Sequence, residues 1–281
     1  MTLISSISGT RGTIGGKPGE NLTPNDAVAF AAAFSQFIKN QSGKEQPTVV
    51  IGRDARPSGG WLSNLVCATL QASGVNVIDL GLSTTPTVEV AVPGNNADGG
   101  IILTASHNPI EWNALKLLNA KGEFINAEQG AELLAAIESG DFNYPDVMKT
   151  GSYTTAEGWI EKHVAQILAH PLVNAKAVQE AGLKVAVDPV NSTGAIAIPV
   201  LLKALGVESV EMINGEPTSF FAHNPEPLKQ HLTEICATIK DKGADLGIVV
   251  DPDVDRLAMI TEEGEMFGEE YTLVAIADYY M

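Results

Sequence analysis

Residues 99–116 read Gly-Gly-Ile-Ile-Leu-Thr-Ala-Ser-His-Asn-Pro-Ile-Glu-Trp-Asn-Ala-Leu-Lys. An apolar strand (Ile101, Ile102, Leu103) runs into a turn of small residues that presents Ser106 at its end, and Asn108-Pro109 then turns the chain, because a residue before proline is steered away from helix. That arrangement suits a serine that a substrate must reach. Far downstream, Asp251, Asp253 and Asp255 recur with a period of two ahead of Arg256. On a locally extended chain this spacing puts three carboxylates on one side, where they repel one another unless a cation lies among them. All-oxygen ligands point to Mg²⁺, which keeps positions for water and phosphate oxygens. A serine and an Mg²⁺ site together suggest phosphoryl transfer.

Other chemistries fit the same residues less well. A serine hydrolase would need His107 to take the Ser106 proton, but neighbours in an extended segment point to opposite sides, and Thr104 and Asn108 stand where a GxSxG elbow needs glycine. An EF-hand would place Asp251, Asp253, Asp255 and Glu262 correctly, but Arg256 occupies the obligatory glycine and a strand precedes the loop. A haloacid-dehalogenase-type phosphatase would use Asp251 as nucleophile and Asp253 as acid/base. Its motif usually follows the first strand of the core, whereas here it follows a late one. Lys116 lies ten residues beyond Ser106. If 114–118 returns along the sheet, its ammonium can neutralise phosphate or move a proton.

The elements that must position these groups alternate between apolar strands and helices. Strands are predicted at 47–51, 75–80, 99–104 and 114–118, with helices at 24–39, 61–73, 86–92 and 127–138. Thr23-Pro24 opens the first helix, threonine as N-cap and proline in the first turn. After Gly151 the rhythm restarts: helices at 155–169, 173–181, 195–204 and 228–242, strands at 183–187, 207–213, 245–250 and 257–261. Such alternation implies α/β units with a mainly parallel sheet. From Glu269 to Met281 another helix begins and ends on an apolar Tyr-Tyr-Met without a C-cap, so the expectation is a chain cut inside a third unit.

Bulk properties narrow the partners. At 281 residues, with 44% hydrophobic and 18% charged, the chain suits about two soluble domains. Its net charge of −17 repels nucleic acid and anionic membranes, so neither is an expected partner, and a phosphorylated ligand needs a local basic pocket or a metal. Cys67 and Cys236 show no metal-ligand or disulfide spacing, which suits a reducing compartment. The N-terminal stretch lacks a basic start followed by an apolar core, and no apolar run reaches the length of a membrane span, so a cytoplasmic enzyme is expected. Oligomeric state is not legible.

The residues resemble the α-D-phosphohexomutase family of phosphoglucomutase, phosphomannomutase and phosphoglucosamine mutase. Its TASHNP serine loop matches Thr104 to Pro109, and its DxDxDR metal loop matches Asp251, Asp253, Asp255 and Arg256. Ser8-Gly9-Thr10-Arg11-Gly12 resembles its N-terminal arginine loop, and Gly52-Arg53-Asp54 through Arg56 to Gly59 its GRDxRxSG stretch. Asn113 and Lys116 fit the pattern after the serine loop, with Ala114 in place of a usual glycine.

The resemblance implies two consecutive three-layer α/β/α domains with mixed, mainly parallel sheets. Residues 1–150 would form domain I with the phosphoserine loop, 151–257 domain II with the metal loop, and 258–281 the start of a third. It implies phosphate transfer between O6 and O1 of a hexose phosphate through phosphoserine at Ser106 and a sugar bisphosphate. Mg²⁺ would be held by Asp251, Asp253, Asp255 and a phosphate oxygen on Ser106. Arg11 and Lys116 would lie near the reacting centre, His107 would position the loop or contact phosphate, and Asn108 and Arg256 would bind phosphate, Arg256 also helping to hold the phosphoserine loop. The family's Gly-Glu-x-Ser-Gly sugar loop and Arg-x-Ser-Gly-Thr phosphate loop are not found. These residues alone are therefore expected to be nearly inactive as a mutase, or to persist as a non-catalytic sugar-phosphate-binding fragment.

Overall fold

A computed structural model describes residues 1–6 and 9–281. Ser8, part of the arginine-loop resemblance, lies outside the described residues. The chain forms two compact units: Met1–Ala105 with Pro109–Trp159, and Ser106–Asn108 with Ile160–Met281.

The first unit is built on β1 (Ile4–Ser6), β2 (Gly9–Thr13), β3 (Thr48–Arg53), β4 (Asn76–Leu82), β5 (Gly99–Leu103), β6 (Trp112–Leu118) and β7 (Tyr153–Thr155), in the order β1-β2-β6-β5-β3-β4-β7. β5, β3, β4 and β7 run parallel, while β6, β2 and β1 join antiparallel on the other side of β5. Strand alternation divides the side chains between two helical layers. Val49, Ile51, Ile101, Leu103, Leu115 and Leu117 meet α1 (Pro24–Ser42), α2 (Gly59–Ala72) and α4 (Ala127–Ser139). Val50, Ile102 and Leu118 meet α3 (Thr85–Gly94) and Trp159, the first residue of α5 (Trp159–Ala169). Burying such side chains stabilises by about 1.5–3 kcal/mol each, so the three-layer arrangement follows from the alternation itself.

Helix ends fall where local chemistry sets them. The Asp26 carboxylate accepts from the backbone N–H of Thr23 (3.0 Å), and α1 stops at Gly43, whose φ of 67° suits glycine. Gly9 has a different role. A Cβ there would stand 1.9 Å from the Leu115 carbonyl oxygen, so the close pairing of β2 with β6 requires glycine.

In the second unit, β8 (Lys184–Asp188), β9 (Ser209–Met212), β10 (Leu246–Val250) and β11 (Leu257–Thr261) form a sheet in the order β11-β10-β8-β9. β10-β8 and β8-β9 are parallel; β11 pairs antiparallel with β10. Ala186, Val249 and Ile260 pack on the side of α8 (Thr233–Lys242). Val185, Val187 and Val250 pack on the side of α7 (Gly194–Ala204), next to Val178 of α6 (Ala175–Ala181). The helix α9 (Glu269–Tyr280) follows. Among the described residues, no helix is long and apolar enough to cross a membrane.

Several elements differ from expectation. β1, β2 and β7 were not anticipated, because Ile-Ser-Ser, Gly-Thr-Arg-Gly-Thr and Tyr-Thr-Thr carry no apolar alternation. Residue 155 ends β7 instead of opening a helix, and α5 starts at Trp159. The helix expected at 228–242 begins at Thr233, after a single 3₁₀ turn over Lys229–His231.

Candidate active site

Ser106 follows β5 by a short loop whose two flanks are tied down within the first unit. Thr104 donates its hydroxyl to Asp54 Oδ2 (2.7 Å). The same carboxylate accepts from Arg56 Nε (2.8 Å) and from the Arg56 backbone N–H (3.0 Å). Arg56 Nη1 in turn donates to the carbonyl of Pro109 (3.1 Å) and to that of Trp112. The Asp54 and Arg56 side chains are fully buried, a setting in which a charge persists only when paired and hydrogen-bonded. A further bond joins Asn113 Nδ2 to Ser58 Oγ (2.8 Å). The GRDxRxSG stretch therefore holds both flanks of the serine loop, a role its local sequence does not reveal.

Between those flanks, Ser106–Asn108 groups with the second unit. Ser106 has φ 49°, a left-handed conformation uncommon outside glycine. Its Oγ donates to Asp251 Oδ2 (2.6 Å) and also lies 3.3 Å from Asp255 Oδ1. His107 Nδ1 is 3.3 Å from the same oxygen. This corrects the expectation that neighbouring residues must diverge: the segment is a turn, and the left-handed serine brings the imidazole beside its own hydroxyl.

The imidazole is nevertheless poorly disposed as a base. Arg256 Nη2 donates to His107 Nε2 (3.4 Å), which assigns the ring proton to Nδ1, facing Ser106. Burial, and then the nearby Arg256 guanidinium, hold its pKa below the usual histidine value. The ring thus donates towards the serine oxygen, which argues against a serine-hydrolase triad. Asn108 is half-buried in the same loop.

Asp251 directly follows β10, at the carboxyl end of a sheet strand, where α/β folds place ligands. Asp251 and Asp253 are fully buried and Asp255 is exposed; one carboxylate oxygen from each lies within 4.8 Å of the others. The convergence comes from a tight turn, not from an extended chain as the period-two spacing suggested. Val254 has φ 61°, and Asp251 Oδ1 accepts from the backbone N–H groups of Asp255 and Arg256 (3.1 Å each). Burial, followed by the charges of Asp253 and Asp255, pushes the Asp251 carboxyl up to about 8. Three converging hard oxygen donors are the chemistry of a divalent-cation site and unlike the nitrogen–sulfur sets of zinc. Arg256, besides reaching His107, pairs with Glu226 (3.7 Å).

Arg11 and Lys116 belong to the first unit. Arg11 lies on β2 in register with Ile4 and Ala114, and Lys116 on β6 opposite Gly9 and Ile102. The Lys116 ammonium sits 5.9 Å from the centre of the Phe124 ring, a cation–π contact. Sequence reasoning passed over two further groups in the second unit. Ser192 and Thr193 each donate a hydroxyl to the Pro252 carbonyl (2.7 Å each). Asp188, buried at the end of β8, accepts from His223 Nε2 (3.1 Å).

The two units are α/β/α domains of a known class. Residues 5–144 match phosphoglucomutase/phosphomannomutase α/β/α domain I, and residues 161–264 match α/β/α domain II. The chain belongs to the phosphoglucomutase/phosphomannomutase family. It is 35% identical over 276 residues to a phosphoglucomutase/phosphomannomutase of Thermococcus kodakarensis, covering 98% of this chain and 59% of that protein. It is 34% identical over 269 residues to a probable phosphoglucosamine mutase of Methanopyrus kandleri, covering 95% and 56% respectively. The crystal structure of a phosphomannomutase from Thermus thermophilus, described as putative, superposes with a TM-score of 0.86 at 25% identity, over all of this chain and 62% of that one. A family member from Burkholderia thailandensis gives 0.81 at 27% identity, over 98% of this chain and 58% of that one. The chain thus spans somewhat more than half the length of these relatives. The aspartyl-phosphatase alternative gains no support from them.

Proposed function

We propose that the protein works as a phosphohexomutase, moving phosphate between O6 and O1 of a hexose phosphate with Ser106 as the phosphoryl carrier. The observation that carries this reading is the Ser106 hydroxyl standing 2.6 Å from Asp251 beside two further carboxylates. Phosphorylated on Oγ, Ser106 would give its phosphoryl group to the free hydroxyl of a hexose monophosphate. The serine O–P bond breaks, a sugar O–P bond forms, and the sugar hydroxyl proton passes to a base, for which family resemblance nominates Lys116. The resulting bisphosphate turns over and returns its other phosphate to Ser106. Glucose, mannose and glucosamine phosphates are the candidate substrates.

Asp251, Asp253 and Asp255, together with a phosphate oxygen on Ser106, would hold Mg²⁺, which when bound offsets the negative charge on the transferring group. The rest falls to the chain itself. Asp54 and Arg56 hold the loop flanks, and His107, kept neutral, donates towards the serine oxygen. Arg256 orients His107 and adds positive charge beside the loop. Family resemblance puts Arg11 near the reacting centre and gives Asn108 a phosphate contact.

The test is transfer of a labelled phosphoryl group from a hexose 1,6-bisphosphate to the protein, and then back to an added hexose 6-phosphate. Label should pass through the 281-residue chain, slowly because the sugar and distal-phosphate loops are not found in it, and not through Ser106→Ala. Release of the label as inorganic phosphate, with Ser106→Ala unaffected, would refute the mutase reading.

A further inference from the structure

The carbonyl of Pro252 stands between the first two aspartates of the trio. It accepts from Ser192 Oγ and Thr193 Oγ1 at 2.7 Å each, and from the Thr193 backbone N–H at 3.4 Å. Both hydroxyl-bearing residues are fully buried. A carbonyl oxygen has two lone pairs, so two hydroxyls at this distance fix its direction.

The segment supplying them is built for close approach. Ser192 and Thr193 lie in the turn from β8 to α7, where Val190 (φ 50°) and Asn191 (φ 55°) are both left-handed. A β-branched residue in that region persists only where its surroundings over-determine it. Here Asp188 Oδ1 accepts the Val190 N–H (3.0 Å), and the Asp188 carboxylate is itself held by His223 and Asn214. At Gly194, a Cβ would stand 2.5 Å from Val250 Cγ2, so only glycine lets the turn reach the end of β10.

We propose that Ser192 and Thr193 are positioning residues of the cation site. By fixing the Pro252 carbonyl they set the backbone between Asp251 and Asp253, so that carboxylates which repel one another converge before a cation arrives. The inference rests on the reading that the trio holds a divalent cation. It extends the site to a loop about sixty residues upstream, whose two hydroxyls act on it through the Pro252 carbonyl. Partners that orient metal ligands typically govern affinity by about 10–100-fold.

The test is Mn²⁺ binding to the 281-residue chain, by calorimetry and by the electron paramagnetic resonance line shape of the bound ion. Thr193→Val, nearly isosteric, and Ser192→Ala should each weaken Mn²⁺ binding about tenfold and broaden the bound-ion spectrum. Thr193→Ser, which keeps the hydroxyl, should restore both. Thermal melts of the metal-free proteins identify variants that remain folded, and Ser192→Ala, the smaller change, serves if Thr193→Val does not. Folded hydroxyl-deleted variants with wild-type affinity and spectrum would overturn the positioning role while leaving the cation site standing. A wild-type chain that binds no Mn²⁺ would overturn the cation reading and this inference with it.

Discussion

The Ser106 hydroxyl and the Asp251 carboxylate meet at 2.6 Å although 145 residues separate them in sequence. Each comes from a left-handed or tightly turned loop beyond a sheet strand, and each loop is held by buried polar groups, Asp54 and Arg56 in one case, Ser192 and Thr193 in the other. A contact of this length between a potential nucleophile and a cluster of carboxylates is the geometry from which the functional reading grows.

Replacing Asp251 by asparagine separates charge from shape. The amide oxygen can still accept the two backbone N–H groups, but the carboxyl that burial and its two neighbours disfavour in the charged form is gone. Without metal, Asp251→Asn should be more stable than wild type by about 1 kcal/mol, which moves a melting midpoint by about 2–4 °C in domains of this size. Wild type should gain about 2.7 kcal/mol from Mg²⁺ at a hundred times its Kd, and the variant should gain almost nothing. Thermal melts in chelator and in Mg²⁺ check both. Equal stabilisation of the two proteins by Mg²⁺ would count against the trio as the site.

Arg56→Met leaves the fully buried Asp54 carboxylate without its cation. The expected loss is about 3–5 kcal/mol of stability in urea denaturation. The double variant Asp54→Leu/Arg56→Met, which buries no charge, should be the milder of the two. If Arg56→Met costs no more than a surface substitution, the clamp on the serine-loop flanks is not what holds them.

His223 links the second unit to pH. Burial draws its pKa down, but the hydrogen bond and charge of Asp188, joined by the Asn224 carbonyl and Glu234, raise it, and the net direction is upward. A folded pKa above the unfolded value means that the stabilisation is fully present below the unfolded value of about 6.5 and is lost as pH rises through the folded one. His223→Gln should therefore cost more stability at pH 5.5 than at pH 8.5. The Asp251 titration is common to both proteins and cancels in the difference. A cost independent of pH would show that the pair does not titrate as described.

Much of this was legible in the sequence. Apolar runs such as Ile101-Ile102-Leu103 and Val249-Val250 mark the central strands, and the returning segment 114–118 lies within β6. β1, β2 and β7 were not legible, because their residues are held by pairing with neighbours and carry little hydrophobic pattern of their own. Ser106 and the aspartate trio stand out by residue type and spacing, but the turns that bring them together do not. The positive φ values of Ser106 and Val254 are set by tertiary contacts, and nothing local in serine or valine signals them. The hydroxyls of Ser192 and Thr193 reach a carbonyl sixty and fifty-nine residues away, a relation without any short-range signature.

The measurement that bears most directly on the whole account is phosphopeptide mapping of the chain after exposure to a hexose 1,6-bisphosphate and Mg²⁺. A single acid-stable phosphate on the peptide containing Ser106, absent when the aspartate trio is neutralised, is the predicted result. A hydroxylamine-labile phosphate on Asp251, with Ser106 unmodified, would contradict it.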